Sequence, residues 1–199
     1  MRLCPVLCCW AKGSAIMATK RDLQQEIRRY RQAERLLELG ARVPVVADLT
    51  HLSSWFLRKL SLEINGESPR KGQVPNSDQW YLRRKHLLQS SLFCQIYSRV
   101  KNLVGEEEDA CTSLMEGYSQ WRDVILSCGL SPCLTLDRAW WLVKSLEMRH
   151  LQQCRCQGCQ GLYVQPWSRL RQGYRCDPCR QRRQRSSGNA PLRLQGGKP

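Results

Sequence analysis

The sequence has no long apolar run. None approaches the roughly 18 residues that a membrane-spanning helix needs, and the longest helical patterns are interrupted by Arg, Lys or Glu at every turn. Acids are scarce: 17 Asp and Glu stand against 32 Lys and Arg in 199 residues, for a formal charge of +15. The shortage is sharpest in residues 151–199, which hold ten basic side chains and a single acid, Asp177. Histidine is rare, with only His51, His86 and His150, far apart along the chain. No G-x-S-x-G, phosphate-binding glycine loop or H-E-x-x-H occurs. These absences argue against an integral membrane protein and leave no motif for catalysis. A nuclease with an unrecognised site is the remaining enzymatic alternative.

What is present is a globular composition with a localised charge. With 42% hydrophobic residues and seven tryptophans the chain can bury a core, so wholesale disorder is excluded. Clustered Arg and Lys favour a polyanionic partner, because releasing counterions from phosphates rewards such clusters. A basic surface without a dedicated ligand is the plainer alternative.

Residues 1–16 combine a charged start with a short apolar stretch, as a secretory signal would, but Pro5 and Lys12 interrupt it and no cleavage site follows. They are expected to be an extension or a misassigned start, with Met17 opening an ordinary N-terminus. Residues 17–152 read as an all-α domain without internal repeats or strands. Thr19 and Asp22 form a capping-box-like pair ahead of a helix with Leu23, Ile27, Tyr30, Leu36 and Leu37 near helical spacing, stopped by Gly40. Val43 to His51 and Ser53 to Ile64 then outline a helix-turn-helix, with Leu52, Phe56, Leu60 and Ile64 at a strict four-residue step. A loop over 65–79 precedes a helix capped by Ser77 and running through Leu103, its apolar face Leu88, Leu92, Ile96, Val100 and Leu103. Two more helices carry Leu114, Tyr118, Trp121 and Ile125, and Leu136, Ala139, Trp140, Val143 and Leu146. Trp140 and Trp141 point about 100° apart on a helix, so either both pack in a broad buried face or one meets a partner.

Five of the twelve cysteines fall between Cys154 and Cys179. Cys156/Cys159 and Cys176/Cys179 are two C-x2-C hooks sixteen residues apart, the spacing of four-thiolate zinc sites. A closed shell of four thiolates holds one structural Zn2+ and leaves no position for a reacting water. A redox C-x-x-C, a disulfide scaffold and an iron–sulfur centre are the competing readings, and Cys154 is a possible substitute for Cys156. Leu162 to Trp167 has the character of a ribbon strand. Residues 153–180 are therefore expected to be a zinc-ribbon-like lobe and 181–199 a basic disordered tail with Arg182, Arg183 and Arg185. Isolated Cys94, Cys111, Cys128 and Cys133 fit buried small hydrophobes in a reducing compartment.

Several strings together resemble the FlhC family, a subunit of the flagellar transcriptional activator. They are Leu37 to Arg42, the loop Gly66 to Gly72 with Pro75, Ser77 and Trp80, the string Ser91 to Cys94, Arg138 to Trp140 with Leu142 and Val143, and both cysteine hooks, in order from about residue 20 to 180. Arg70 departs from the proline-rich loop expected there. The resemblance implies a cytoplasmic DNA-binding protein that joins FlhD, as four FlhD with two FlhC, on flagellar promoters and helps σ70 RNA polymerase start transcription. It also implies zinc on Cys156, Cys159, Cys176 and Cys179.

If Ser53 to Ile64 is a recognition helix, its Leu52/Phe56/Leu60/Ile64 face packs inward. Ser53, Ser54, Arg58 and Lys59 then face duplex DNA, where such positions reach base edges or phosphates. A core helix pair with a solvated face is the alternative. Arg169, Arg171, Arg175 and Arg180 around the ribbon are expected to contact phosphates irrespective of sequence. The rival function is a zinc-stabilised RNA-binding or ribosome-associated adaptor.

Overall fold

In the computed structural model of the chain, the described residues are 22–104, 109–168 and 173–188. They form eight helices and one two-stranded hairpin. No helix among them is long and apolar enough to cross a membrane.

α1 (Leu23–Glu38) starts at Asp22, whose carboxylate accepts the backbone N–H of Gln24 and Gln25. The expected partner of that cap, Thr19, lies outside the described residues. Only the second half of α1 is built into the core, through Ala33, Leu36 and Leu37, while Leu23, Ile27 and Tyr30 remain exposed. α2 (Val43–Thr50) and α3 (Ser54–Asn65) pack on α1 and on each other. The turn between them places His51 in the left-handed region, φ 57°. A three-helix cluster of helix-turn-helix type results.

The inward face of α3 differs from the expected one. Leu57 and Ser61 are fully buried, whereas Leu52, Phe56, Leu60 and Ile64 are half-buried against the core on the flank. A four-residue step advances 400° per repeat, so the ladder of largest side chains drifts off the contact line.

The expected single helix from Ser77 is two helices. α4 (Gln79–Leu82) and α5 (Arg84–Val104) are separated by Arg83, which is extended at ψ 137°. The break is held from the side. Trp80 lies between the His86 ring, stacked at 3.7 Å, and the Arg138 guanidinium at 4.1 Å, and His86 Nδ1 is 3.0 Å from the Trp80 carbonyl oxygen. The buried face of α5 is also rotated from the expected one. It consists of His86, Ser90, Ser91, Phe93, Cys94, Tyr97 and Val100, while Leu88 and Leu103 are exposed.

α6 (Ala110–Ser127) and α7 (Leu136–Glu147) follow expectation. Leu114, Tyr118, Trp121 and Ile125 are buried on one, and Leu136, Ala139 and Val143 on the other. Thr135 caps α7 at the Arg138 N–H. Trp140 and Trp141 are both half-buried against the core, and their indole N–H groups donate to Asp48 and Asp78. The loop after α3 is tied down by Arg42, which bonds the Gln73 carbonyl at 2.7 Å and pairs with buried Asp137 at 3.2 Å.

The chain then enters a hairpin of β1 (Leu151–Arg155) and β2 (Leu162–Pro166), antiparallel with Gln153 opposite Val164. No strand was expected as early as Leu151, because Leu-Gln-Gln-Cys-Arg lacks β-branched residues. Pairing with β2 and burial of Leu151 in the main core create it. The last helix, α8 (Asp177–Gly188), continues past Arg180 into the segment read from sequence as tail. Residues 189–199 lie outside the described residues.

Candidate metal centre and nucleic-acid interface

β1 delivers Cys156 to the end of the hairpin. There its N–H bonds the Gly161 carbonyl at 2.8 Å and its own carbonyl receives the Gln160 N–H at 2.9 Å, with Gln160 left-handed at φ 61°. This curl brings Cys159 back beside Cys156. The second hook is built differently. Cys176 precedes α8 and Cys179 sits in its first turn, so the start of a helix spaces the two thiols. The turn between hooks is closed by the Gln157 N–H bonding the Tyr174 carbonyl at 2.9 Å.

All four sulfurs converge. The Sγ atoms of Cys156, Cys159, Cys176 and Cys179 lie within 4.8 Å of one another, and Cys159 and Cys176 are 3.8 Å apart. A tetrahedron with metal–sulfur bonds of about 2.3 Å has sulfur–sulfur edges of about 3.8 Å, so the donor set fits one tetrahedral ion. Space around it is tight. A Cβ added at Gly158 would lie 2.8 Å from Cys179 Sγ and 2.9 Å from Cys179 Cβ. Only glycine fits there without moving a ligand.

The local field favours the thiolate at two of the four cysteines, Cys156 and Cys159, whereas hydrogen bonding with Cys176 pushes the Cys179 thiol up to about 12. Cys156 Sγ accepts the N–H groups of Gly158 and Cys176, both at 3.3 Å. Burial pushes the Cys156 thiol up, but the N–H groups of Cys159, Cys176 and Gly158 outweigh it and bring the thiol down to about 6. Cys159 is lowered by the Gly161 N–H and the Tyr163 hydroxyl. Cys154 stands apart. It lies on β1 opposite Tyr163, outside the four-sulfur cluster, and burial raises its thiol. Cys94 and Cys111 are fully buried with thiols pushed upward by desolvation, which suits small core hydrophobes.

The ribbon is joined to the helical body. Ser91 Oγ accepts the Val164 N–H at 3.0 Å while donating to the Leu87 carbonyl at 2.6 Å, and Gln95 Nε2 donates to the Leu162 carbonyl at 3.1 Å. Leu151 and Val164 belong to the main core. The metal-site end of the hairpin is thus held at its base by α5.

On α3, Ser53, Ser54, Arg58 and Lys59 are all exposed. Ser53 is the N-cap, its hydroxyl accepting the Phe56 N–H at 3.3 Å. Trp55, which sequence reasoning missed, is 71% exposed on the same side, with the Lys59 ammonium 5.1 Å over its ring. Its position three and four residues before Arg58 and Lys59, off the apolar ladder, was the available signal. Around the metal site, Arg175 is half-buried and Arg180 is exposed and paired with Asp177. Arg169 and Arg171 lie outside the described residues. The two basic surfaces are carried by different parts of the core: α3 rests on α1 and α2, the ribbon on α5 and α7.

A family model described as flagellar transcriptional activator (FlhC) matches residues 17–190. The chain belongs to the FlhC family. Among its relatives, the flagellar transcriptional regulator FlhC of Verminephrobacter eiseniae is 35% identical over 147 residues, covering 74% of this chain and 79% of that protein. The FlhC of Gallionella capsiferriformans is 32% identical over 173 residues, covering 86% and 94%, and that of Yersinia enterocolitica is 29% identical over 164 residues, covering 80% and 82%. The matched range takes in the α1–α3 cluster, the ribbon, all four clustered cysteines and α8.

Proposed function

We propose that this FlhC-family chain is the DNA-binding subunit of a cytoplasmic activator that assembles with FlhD, four FlhD to two of this chain. The assembly binds flagellar operon promoters and assists σ70 RNA polymerase. Membership of the family across nearly the whole chain carries the reading.

The residues fit a structural zinc ion, with Cys156, Cys159, Cys176 and Cys179 as its ligands. Zinc held by four thiolates cross-links the hairpin to the start of α8 and supplies folding free energy of about 10 to 16 kcal/mol in small metal-dependent lobes. The chain's own residues do the rest. Ser91 and Gln95 fix the hairpin on α5, and the lobe presents Arg175, Arg180 and, beyond the described residues, Arg169 and Arg171 to phosphates. On α3, the Ser53 cap sets the first turn, and Ser54, Arg58 and Lys59 face the duplex.

The test is co-purification with FlhD followed by footprinting on a flagellar promoter. Protection of a discrete promoter segment by the complex is the expected result. Absence of protection together with tight binding of single-stranded RNA would favour the RNA-adaptor function and overturn this one.

A further inference from the structure

Beyond its first turn, α8 is a helix without a core face. From Arg180 to Gly188 it contains only Arg, Gln, Ser and Gly. Arg180, Gln181, Arg182, Arg183 and Gln184 are all exposed. At 100° per residue, Arg180 and Arg183 fall on one side and Arg182 on the other. Twelve residues of such composition make a marginal helix in water. Two features favour the helix locally: Cys179, a member of the four-sulfur cluster, fixes its first turn, and Asp177 complements its N-terminal dipole.

The absence of an apolar face argues against docking into an apolar protein groove or onto a bilayer, both of which need an amphipathic helix. Arginine on opposite sides instead matches a cleft with anionic walls on both sides. The major groove of B-form DNA is such a cleft, about 12 Å wide and able to admit a helix, whereas that of A-form RNA is too narrow. We infer that α8 is a metal-anchored arginine helix that enters the DNA major groove, with its phosphate contacts made from both sides. This rests on the proposed DNA-binding function and adds a second groove-reading element to α3.

The test uses the full chain co-purified with FlhD on promoter duplex. R180A/R182A/R183A should flatten the dependence of log affinity on log salt by about two to three, since each phosphate contact contributes about 0.9. Q181G/Q184G keeps every charge but weakens the helix, and Q181A/Q184A strengthens it. The glycine pair should bind about tenfold more weakly and the alanine pair at least as tightly as the native chain. Native protein should also shield guanine N7 atoms from dimethyl sulfate at positions that R180A/R182A/R183A leaves open. Metal content measured on each variant shows that the sulfur cluster is intact. Equal binding by the glycine, alanine and native chains would reduce α8 to a charged tail and overturn the inference. If the native complex itself fails to bind the promoter, the underlying function is what fails.

Discussion

Gly158→Ala tests the metal site at its tightest point. The new methyl group would sit 2.8 Å from Cys179 Sγ and 2.9 Å from Cys179 Cβ, where ordinary contact begins at 3.4 Å. Relief requires Cys179 or the 157–159 turn to move by about 0.5 Å, more than twice the roughly 0.2 Å within which metal–ligand distances are held. Gly158 is not in the left-handed region, so backbone conformation adds no penalty. The steric effect is therefore isolated. Metal affinity should fall by about ten- to a hundredfold, the loss that comes from disturbing groups that orient metal ligands. Gly161→Ala is the control. Its nearest neighbour is the edge of the Tyr163 ring at 3.2 Å, and Cys159 Sγ is 3.5 Å away, so the ring can give way and the loss should be small. Competition with a chromophoric chelator at fixed pH, under reduction, measures both. Unchanged affinity in Gly158→Ala would refute the proposition that these four sulfurs converge on one ion.

Adjacent serines on α5 should respond in opposite directions to replacement by alanine. Ser91→Ala leaves the buried Val164 N–H without its acceptor and should destabilise the chain by about 1 to 3 kcal/mol in denaturant titration. Ser90 Oγ is buried with no hydrogen-bond partner among the described residues, so Ser90→Ala should be neutral or stabilising. Metal retention should depend on pH with a definite sign. The Cys156 thiol is lowered to about 6, so its thiolate is present above that value, and because the bound ion competes with protons for it, metal is displaced as pH falls below about 6. A chelator-free dialysis series with metal analysis follows this, and release only on raising the pH would contradict it. Arg58→Ala should reduce discrimination between promoter and random duplex. Neutralising Arg175 and Arg180 should weaken binding to both about equally and lower the salt slope by about two. Identical profiles from the two changes would erase that division.

What could be read from the residues depended on whether local pattern or tertiary context decides. α6 was legible because Leu114, Tyr118, Trp121 and Ile125 are large, apolar and correctly spaced, and all four are buried. α5 was misphased because its core line runs through Ser90 and Ser91. The Ser91 hydroxyl is satisfied by Leu87 and Val164, so a polar residue occupies a position that periodicity assigns to leucine. The break at Arg83 is enforced by Trp80 stacking between His86 and Arg138, the latter from a distant helix, which no local signal reveals. β1 is created by its partner strand. At the candidate site, the two C-x2-C hooks were sufficient because a metal shell has few permitted spacings, and the structure assigns the spare Cys154 to a separate place on β1. The extent of α8 was hidden because an Arg- and Gln-rich stretch has the composition of a solvated tail, and it takes the Cys179 anchor to begin a helix there.

In the proposed function, four thiolates grip one structural ion and thereby set a cationic lobe against DNA. Its most direct test is metal analysis of the reductively purified complex with FlhD, followed by promoter footprinting before and after chelation. One zinc per chain, loss of the footprint when the metal is stripped, and its return on adding zinc are the expected results. A chain without stoichiometric metal that still protects the promoter normally would contradict it.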